Sequence, residues 1–150
     1  MSTINLKQRI QEDMKSAMRT KDSMRLGTIR MLLAAIKQQE VDTRVPVDTH
    51  QVYSILEKMI KQRNDSIEHF KAAGRQELAS QENQEIEILR EYLPTQLSDI
   101  EIETLIDEAI SETHANSMQD MGKVMSILKP QIQGRADMGN VSAKVRSILA

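Results

Sequence analysis

Apolar residues recur at spacings of three and four along the first two-thirds of the chain. The first set follows Thr3 and comprises Leu6, Ile10, Met14, Ala17 and Met18. Further sets begin after Asp22, after Asp48 and near residue 75, and the last of them ends near residue 91. Because this spacing places each set on one side of an α-helix, the pattern predicts four amphipathic helices. Asp22 and Asp48 are expected to cap the second and third of them.

Pro94 marks a boundary in this pattern. Proline disfavours helical geometry at the residue before it, so the fourth helix is expected to end by Leu93. Ser98 and Glu101 then have the spacing of a capping box, which predicts a new helix start. We therefore expect two domains, 1–94 and 95–150.

Three short helices are predicted in the second domain. The first follows Ser98, the second covers 120–129 and is stopped by Pro130 and Gly134, and the third covers 140–149. The fold is thus predicted to be all-α, with an N-terminal helical domain of about four helices and a small C-terminal three-helix domain.

The composition supports helices and excludes some chemistry. Apolar content comes mainly from aliphatic residues and ten Met, with one Phe, two Tyr and no Trp. There is no Cys, so disulfides, thiolate catalysis and cysteine metal sites are excluded. Gly27 inside the second helix costs about 1 kcal/mol relative to Ala, so we expect it to permit close packing.

No segment is apolar for long enough to span a membrane, and the N-terminus lacks the apolar stretch of a secretory signal. A cytoplasmic location is therefore expected, without a membrane partner. The net charge of −2 argues against a general polyanion binder, and no DNA partner is expected. The charges are nevertheless segregated, because residues 98–117 hold six acids and no Lys or Arg. A basic surface and an ordinary solvated helix surface both fit this distribution.

None of the common catalytic motifs is present. The chain has no nucleophile elbow, phosphate-binding glycine loop or dinucleotide fingerprint. Asp65 and His69 have the spacing of a metal-ligand pair, but an ion pair is the favoured interpretation. The acids of the fourth helix are expected to form its solvated side; these are Glu82, Glu85, Glu87 and Glu91. No catalytic residue, metal or cofactor is therefore predicted.

Nucleic-acid binding is the function that the basic residues leave open. Lys and Arg side chains can neutralise phosphates, but no aromatic residues lie between them to stack on bases. Contact with the backbone of a folded RNA is the consistent mode. The candidate residues are Lys61, Arg63, Gly122, Lys123, Lys129, Gly134, Arg135, Lys144 and Arg146.

Short motifs along most of the chain resemble the YqeY family, which is related through its tail to the GatB component of the tRNA-dependent amidotransferase. The matching segments are Arg25-Leu26, Ile29-Arg30, Lys61-Gln62-Arg63, Ser66-Ile67-Glu68, Ala73-Gly74-Arg75, Leu78-Ala79, Glu85-Ile86, Tyr92-Leu93-Pro94, Gln96-Leu97-Ser98, Met121-Gly122-Lys123-Val124-Met125 and Gly134-Arg135-Ala136-Asp137. In one departure from the family pattern, Met138 stands between Asp137 and Gly139. The turn into the last helix is expected to be reshaped there.

The resemblance implies a helical binding protein rather than an enzyme acting alone. In the amidotransferase the similar tail helps to position tRNA, so tRNA and a translation or amidotransferase protein are the expected partners. Gly122-Lys123 and Gly134-Arg135 would approach the RNA backbone, whereas plain helix packing explains the same glycines equally well. The alternative is an adaptor that binds proteins through helical grooves. A carbon–nitrogen ligase using glutamine as amido donor, within a complex, is the less favoured third hypothesis.

Overall fold

A computed structural model describes residues 5–150, in which the fold is all-α: about 80% of the chain is helical and the described part contains no strand. The helices are α1 (Leu6–Thr20), α2 (Ser23–Thr43), α3 (Thr49–Ala72), α4 (Gln76–Arg90), α5 (Asp99–Thr113), α6 (Met121–Ile132) and α7 (Met138–Leu149). A short 3₁₀ turn, Met118–Asp120, precedes α6. The chain forms two compact units, the first ending at Leu93 and the second beginning at Pro94.

Polar side chains start most of these helices by binding amides that have no partner within the helix. Asp22 and Asp48 accept hydrogen bonds from Arg25 N and Gln51 N, and Ser98 forms a reciprocal capping box with Glu101. These predicted caps are confirmed. Asn5 caps α1 in the same way, whereas the predicted start at Thr3 lies outside the described residues.

The core of the first unit joins the apolar sides of α1, α2 and α3 to the end of α4. Its fully buried side chains are almost all aliphatic, and they include Ile10, Ile29, Leu32, Leu56 and Leu89. Tyr92, just beyond α4, is the aromatic member of this core. A smaller cluster of Ile67, Ala79 and Ile86 extends the contact between α3 and α4.

The second unit has a separate core built from α5, α6 and α7. Val124, Leu128 and Ile132 in α6 are fully buried and stand four residues apart, so they form one continuous stripe. Ile106 of α5 and Val145 of α7 pack against this stripe. Each fully buried aliphatic side chain contributes on the order of 2 kcal/mol, which makes this small core the main stabilising feature of the unit.

Pro130 does not stop α6, contrary to the prediction. The helix continues through it to Ile132. Proline removes one hydrogen bond near the helix end, but the next turn brings Ile132 into the core, where it is fully buried. Beyond the helix end the chain turns at Gly134, which has φ 79°. The last helix also starts earlier than predicted, at Met138, because the Asp137 side chain caps it.

Gly27 does not serve close packing, which corrects the expectation about this residue. A Cβ atom placed on Gly27 would have no neighbour within 4 Å. Gly74, in contrast, adopts φ +73° at the end of α3, a conformation that other residues adopt at a cost. The backbone conformation therefore favours glycine at residue 74, whereas the surroundings of residue 27 leave room for a larger side chain.

Substitution of these glycines by alanine should change stability in opposite directions. Gly27→Ala is expected to raise the free energy of unfolding by up to about 1 kcal/mol, because alanine is the better helix former. Gly74→Ala is expected to lower it by about 1 kcal/mol, because φ remains positive there. Urea unfolding followed by circular dichroism measures both, and a destabilising Gly27→Ala would contradict the assignment.

Within residues 5–150, none of the helices combines the length and the apolar character needed to cross a membrane.

Candidate functional site

The nine predicted site residues fall in two separate places. Lys61 and Arg63 lie on α3 in the first unit. The other seven lie in the second unit, on α6, on α7 and in the turn between them. Lys61 is exposed, whereas Arg63 is not.

Arg63 forms an internal ion pair that joins α3 to α4. Its Nε donates to Glu85 Oε2 at 3.0 Å and its Nη1 to the carbonyl oxygen of Met59 at 3.3 Å. The side chains of Arg63 and Glu85 are only 11% and 10% exposed, and Glu82 lies 3.9 Å from the guanidinium. The expectation that Glu85 belongs to the solvated side of α4 is therefore wrong. Glu85 can be buried because the guanidinium of Arg63 on α3 compensates the charge of its carboxylate.

Glu82 interacts less closely with Arg63 than Glu85 does, at 3.9 Å rather than 3.0 Å. Burial raises the pKa of its carboxyl, and the nearby Glu85 carboxylate raises it further, while Arg63 acts in the opposite direction. A raised carboxyl pKa means that the folded state binds the proton more tightly than the unfolded state does. The ionised form of Glu82 thus reduces stability above the ordinary glutamate pKa, and this cost disappears in acid.

The two glutamates should respond differently to replacement by glutamine. Glu85→Gln is expected to lower the free energy of unfolding by about 2 kcal/mol at neutral pH, because it leaves Arg63 without its close carboxylate. Glu82→Gln is expected to raise it, and this gain should be lost as pH falls through the raised pKa of Glu82 and be absent below the ordinary glutamate pKa. Urea unfolding at several pH values tests both variants. Equal losses at neutral pH would show that the two carboxylates act alike.

Gly134 and Arg135 fasten the start of the second unit to the turn after α6. Arg135 donates from Nε to the Thr95 carbonyl oxygen at 3.0 Å and accepts at its own carbonyl from Leu97 N at 2.8 Å. Gln96 Nε2 donates to the Gly134 carbonyl oxygen at 2.8 Å. These contacts give Gly134 and Arg135 a structural role. The sequence motif fitted such a role and an RNA contact equally well.

Four of the predicted cations lie on α6 and α7 with their side chains at least partly exposed. Ser142 Oγ is 4.0 Å from Met125 Sδ, and α7 also contacts the 3₁₀ turn that precedes α6. Lys123 lies in the first turn of α6 beside Asp120, whereas Lys144 on α7 lies beside Asp99 at the start of α5. We call Gly122 and Lys123 at the start of α6, together with Lys144 and Arg146 in the second half of α7, the basic end of the second unit. Lys129 lies toward the other end of α6.

The basic end is accessible to a ligand. The Lys123 side chain is 70% exposed and its Nζ is 3.9 Å from Asp120 Oδ1, so that ion pair is loose. Lys144 Nζ lies 3.7 Å from Asp99 of the acidic helix α5. Gly122 is exposed, and a Cβ atom there would have no neighbour within 4 Å. No contact within 4 Å therefore supports the alternative that Gly122 serves helix packing.

The first unit contains a cleft that the sequence pattern did not predict. Its volume is about 570 Å³, and α1 forms one wall with Arg9, Asp13, Ser16 and Thr20. Ala17 also belongs to the lining. On α1 these polar positions recur at spacings of three and four beside the apolar stripe, and that recurrence is the signal that could have indicated them.

The opposite wall of the cleft comes from the start of α2 and the end of α4. It contributes Asp22, Arg25 and Glu91. Arg25 pairs with the Glu91 carboxylate through two nitrogens, and its Nε is 3.5 Å from Asp22 Oδ2. The hydrogen bond to Glu91 raises the pKa of Arg25, so its charge is fixed.

Residues 5–150 contain no group of three or more His, Asp or Glu placed to hold a metal ion. Two helical units with separate aliphatic cores define a small all-α protein. A family model described as Yqey-like protein matches residues 7–149. The chain belongs to the YqeY-like family, in agreement with the resemblance seen in its motifs.

Curated relatives of the chain include fungal proteins named altered inheritance of mitochondria protein 41, mitochondrial. The protein of Pyrenophora tritici-repentis is 34% identical over 94% of this chain and 79% of its own length. Those of Lachancea thermotolerans and Candida glabrata are 39% and 38% identical over 74% and 56% of this chain. The chain spans 59% and 47% of these two relatives.

The expected cytoplasmic location is wrong by this comparison, because all three relatives are named as mitochondrial proteins. The expectation rested on the lack of a recognisable secretory or membrane segment, and that lack does not distinguish among compartments enclosed within the cell.

Proposed function

We propose that the protein binds folded RNA of the tRNA type through the basic end of its second unit. The observation that carries the proposal is the accessibility of Lys123, Lys144 and Arg146, together with the exposed backbone of Gly122. Arg63 and Arg135 are used by internal partners, so the proposed contact surface is smaller than the set of candidates from the sequence. Lys61 and Lys129 remain accessory candidates.

Contact with the sugar–phosphate backbone is the mode that these residues favour. Residues 94–150 include no Phe, Tyr or Trp, so the second unit has no side chain on which a base could stack in the usual way. Lys and Arg bind phosphates without reading the base sequence. The shape of a folded RNA would then provide the selectivity.

Two carboxylates, Asp99 of α5 and Asp120 of the 3₁₀ turn, limit where the RNA can lie. Asp99 approaches Lys144, and Asp120 approaches Lys123, so phosphates must compete with two carboxylates at the basic end. Hydrogen bonds from the backbone, chiefly that of Asn116, lower the pKa of Asp120, and it remains ionised at neutral pH. Moderate affinity with a strong dependence on salt follows from this arrangement.

The resemblance of the tail to the GatB component of the tRNA-dependent amidotransferase favours tRNA among folded RNAs. It supports a role beside translation, in which catalysis belongs to other proteins. Lys123 and Arg135 lie in the segments that carry this resemblance, but only Lys123 is accessible at the basic end.

Replacing three cations should remove the binding and its salt dependence. With three phosphates neutralised, log K is expected to fall with log salt at a slope of about 2.1 to 2.7, or roughly twentyfold to fortyfold from 50 to 200 mM. The variant Lys123→Gln, Lys144→Gln, Arg146→Gln is expected to lose most of this slope. Fluorescence anisotropy with labelled unmodified tRNA measures both quantities.

A matched control separates specific binding from the effect of net charge. Lys15→Gln, Lys37→Gln, Lys58→Gln removes the same charge from exposed positions of the first unit. It is expected to leave the affinity within about twofold at 150 mM salt, where distant charges are screened. Equal losses in the two triple variants, or no binding of the unchanged protein at low salt, would overturn the proposal.

Gly122→Ala distinguishes a role in RNA contact from a role in packing. The change keeps every charge, and the open space around Gly122 predicts an increase in stability of up to about 1 kcal/mol. If RNA phosphates approach the backbone here, the added methyl group should weaken tRNA binding in this more stable protein. Unchanged affinity would limit the contact to side chains.

A protein-binding adaptor is the second candidate, and exposed apolar side chains favour it. Ile100 is 76% exposed and Ile148 is 54% exposed. Because Lys144 lies near Asp99, the part of α7 that carries Ile148 lies near the part of α5 that carries Ile100. Binding through these residues would be far less sensitive to salt than the tRNA contact.

A further inference from the structure

We propose that the cleft of the first unit binds the guanidinium or alkylammonium group of a monocationic ligand. This inference is independent of the proposed RNA contact, because every lining residue belongs to the first unit. It rests on the shape of the cleft, on fixed polar groups along α1 and on an excess of one negative charge.

Small side chains account for the space in the cleft. Ala17 is 2% exposed and contributes only a methyl group to the lining. Ser16 and Thr20 beside it are also short, and the Thr20 hydroxyl is directed to the helix backbone at the Ser16 carbonyl oxygen, 3.1 Å away. Larger residues at these positions would fill the cleft with the protein's own side chains.

Asp13 is held in position by Tyr92. The Tyr92 hydroxyl donates to Asp13 Oδ2 at 2.6 Å, and burial together with this hydrogen bond raises the pKa of Tyr92 above its usual value. Tyr92 therefore remains a donor at neutral pH, and it fixes the carboxylate without changing its charge. Asp13 Oδ1 has no hydrogen-bond partner elsewhere in residues 5–150, so it can accept from a ligand.

Arg9 is restrained beside the same tyrosine. Its guanidinium lies 5.0 Å from the centre of the Tyr92 ring, and its Nη2 donates to the Glu91 carbonyl oxygen at 3.4 Å. Because these contacts hold Arg9 against the ring, Asp13 is not neutralised by a close ion pair within the described chain. The carboxylate is thus available as an acceptor.

The charge of the lining selects for a cation. Arg9 and Arg25 face three carboxylates, those of Asp13, Asp22 and Glu91, which leaves one negative charge uncompensated. Arg25 is bound to both Glu91 and Asp22, so Asp13 is the carboxylate with a free oxygen. A phosphate or carboxylate ligand would meet repulsion, whereas a single guanidinium or ammonium group neutralises the site and can donate to Asp13 Oδ1 and Ser16 Oγ.

The same chemistry has two sources, a free small molecule or an arginine or lysine side chain of another protein. Titration of the isotopically labelled full chain with butylguanidinium, and separately with an acetylated arginine amide, tests both by changes in amide resonances. Saturable changes within 13–22 and at Glu91 with either probe support the site, and preference for one probe identifies the source. Saturable binding of inorganic phosphate instead, or no saturable change with either cation, overturns the proposal.

Two variants of α1 determine whether Asp13 is responsible. Asp13→Asn removes the negative charge while keeping an acceptor for Tyr92, and it is expected to weaken binding of both probes about fivefold or more. Glu12→Gln removes the same charge from the neighbouring exposed residue outside the cleft and is expected to leave binding unchanged. Equal weakening would show only a general effect of charge and would overturn the assignment. Amide spectra of both variants verify the fold.

Discussion

The burial of one aliphatic stripe per helix is the constraint on which the structure depends. With only three aromatic residues besides His and no Cys, the chain has few large rings and no disulfides to stabilise it, so helices must meet along stripes of Ile, Leu and Val. Ile29 and Leu56 serve this purpose in the first unit, and Leu128 and Val145 serve it in the second. The polar groups that carry the candidate functions occupy the remaining sides of the same helices.

Charged residues in this protein divide into those that hold the fold and those that face outward. Arg63 and Arg135 have internal partners, Glu85 for the first and the Thr95 carbonyl oxygen for the second, and both act as structural links. Lys123 and its neighbours at the basic end form only loose ion pairs. This division explains how a protein with net charge −2 can present a local basic surface, and why a count of Lys and Arg overstates that surface.

The two proposed sites differ in how they are built. The proposed RNA contact at the basic end is an open surface, where water would screen each contact between a lysine and a phosphate. The cleft in the first unit is more restrained, since Tyr92 positions both Asp13 and Arg9, and Glu91 positions Arg25. Membership of the YqeY-like family links these features to a group of proteins without assigning an activity to either site.

The sequence by itself determined the all-α class and the helix starts at Asp22, Asp48 and Ser98, because spacing and capping act within a few residues of the chain. Tertiary structure decided the features that depend on distant partners. Burial of Ile132 carried α6 through Pro130, Arg63 made it possible to bury Glu85, and Tyr92 brought Asp13 into the cleft from 79 residues away. Such contacts have no local signal, since the stabilising partner lies on another helix.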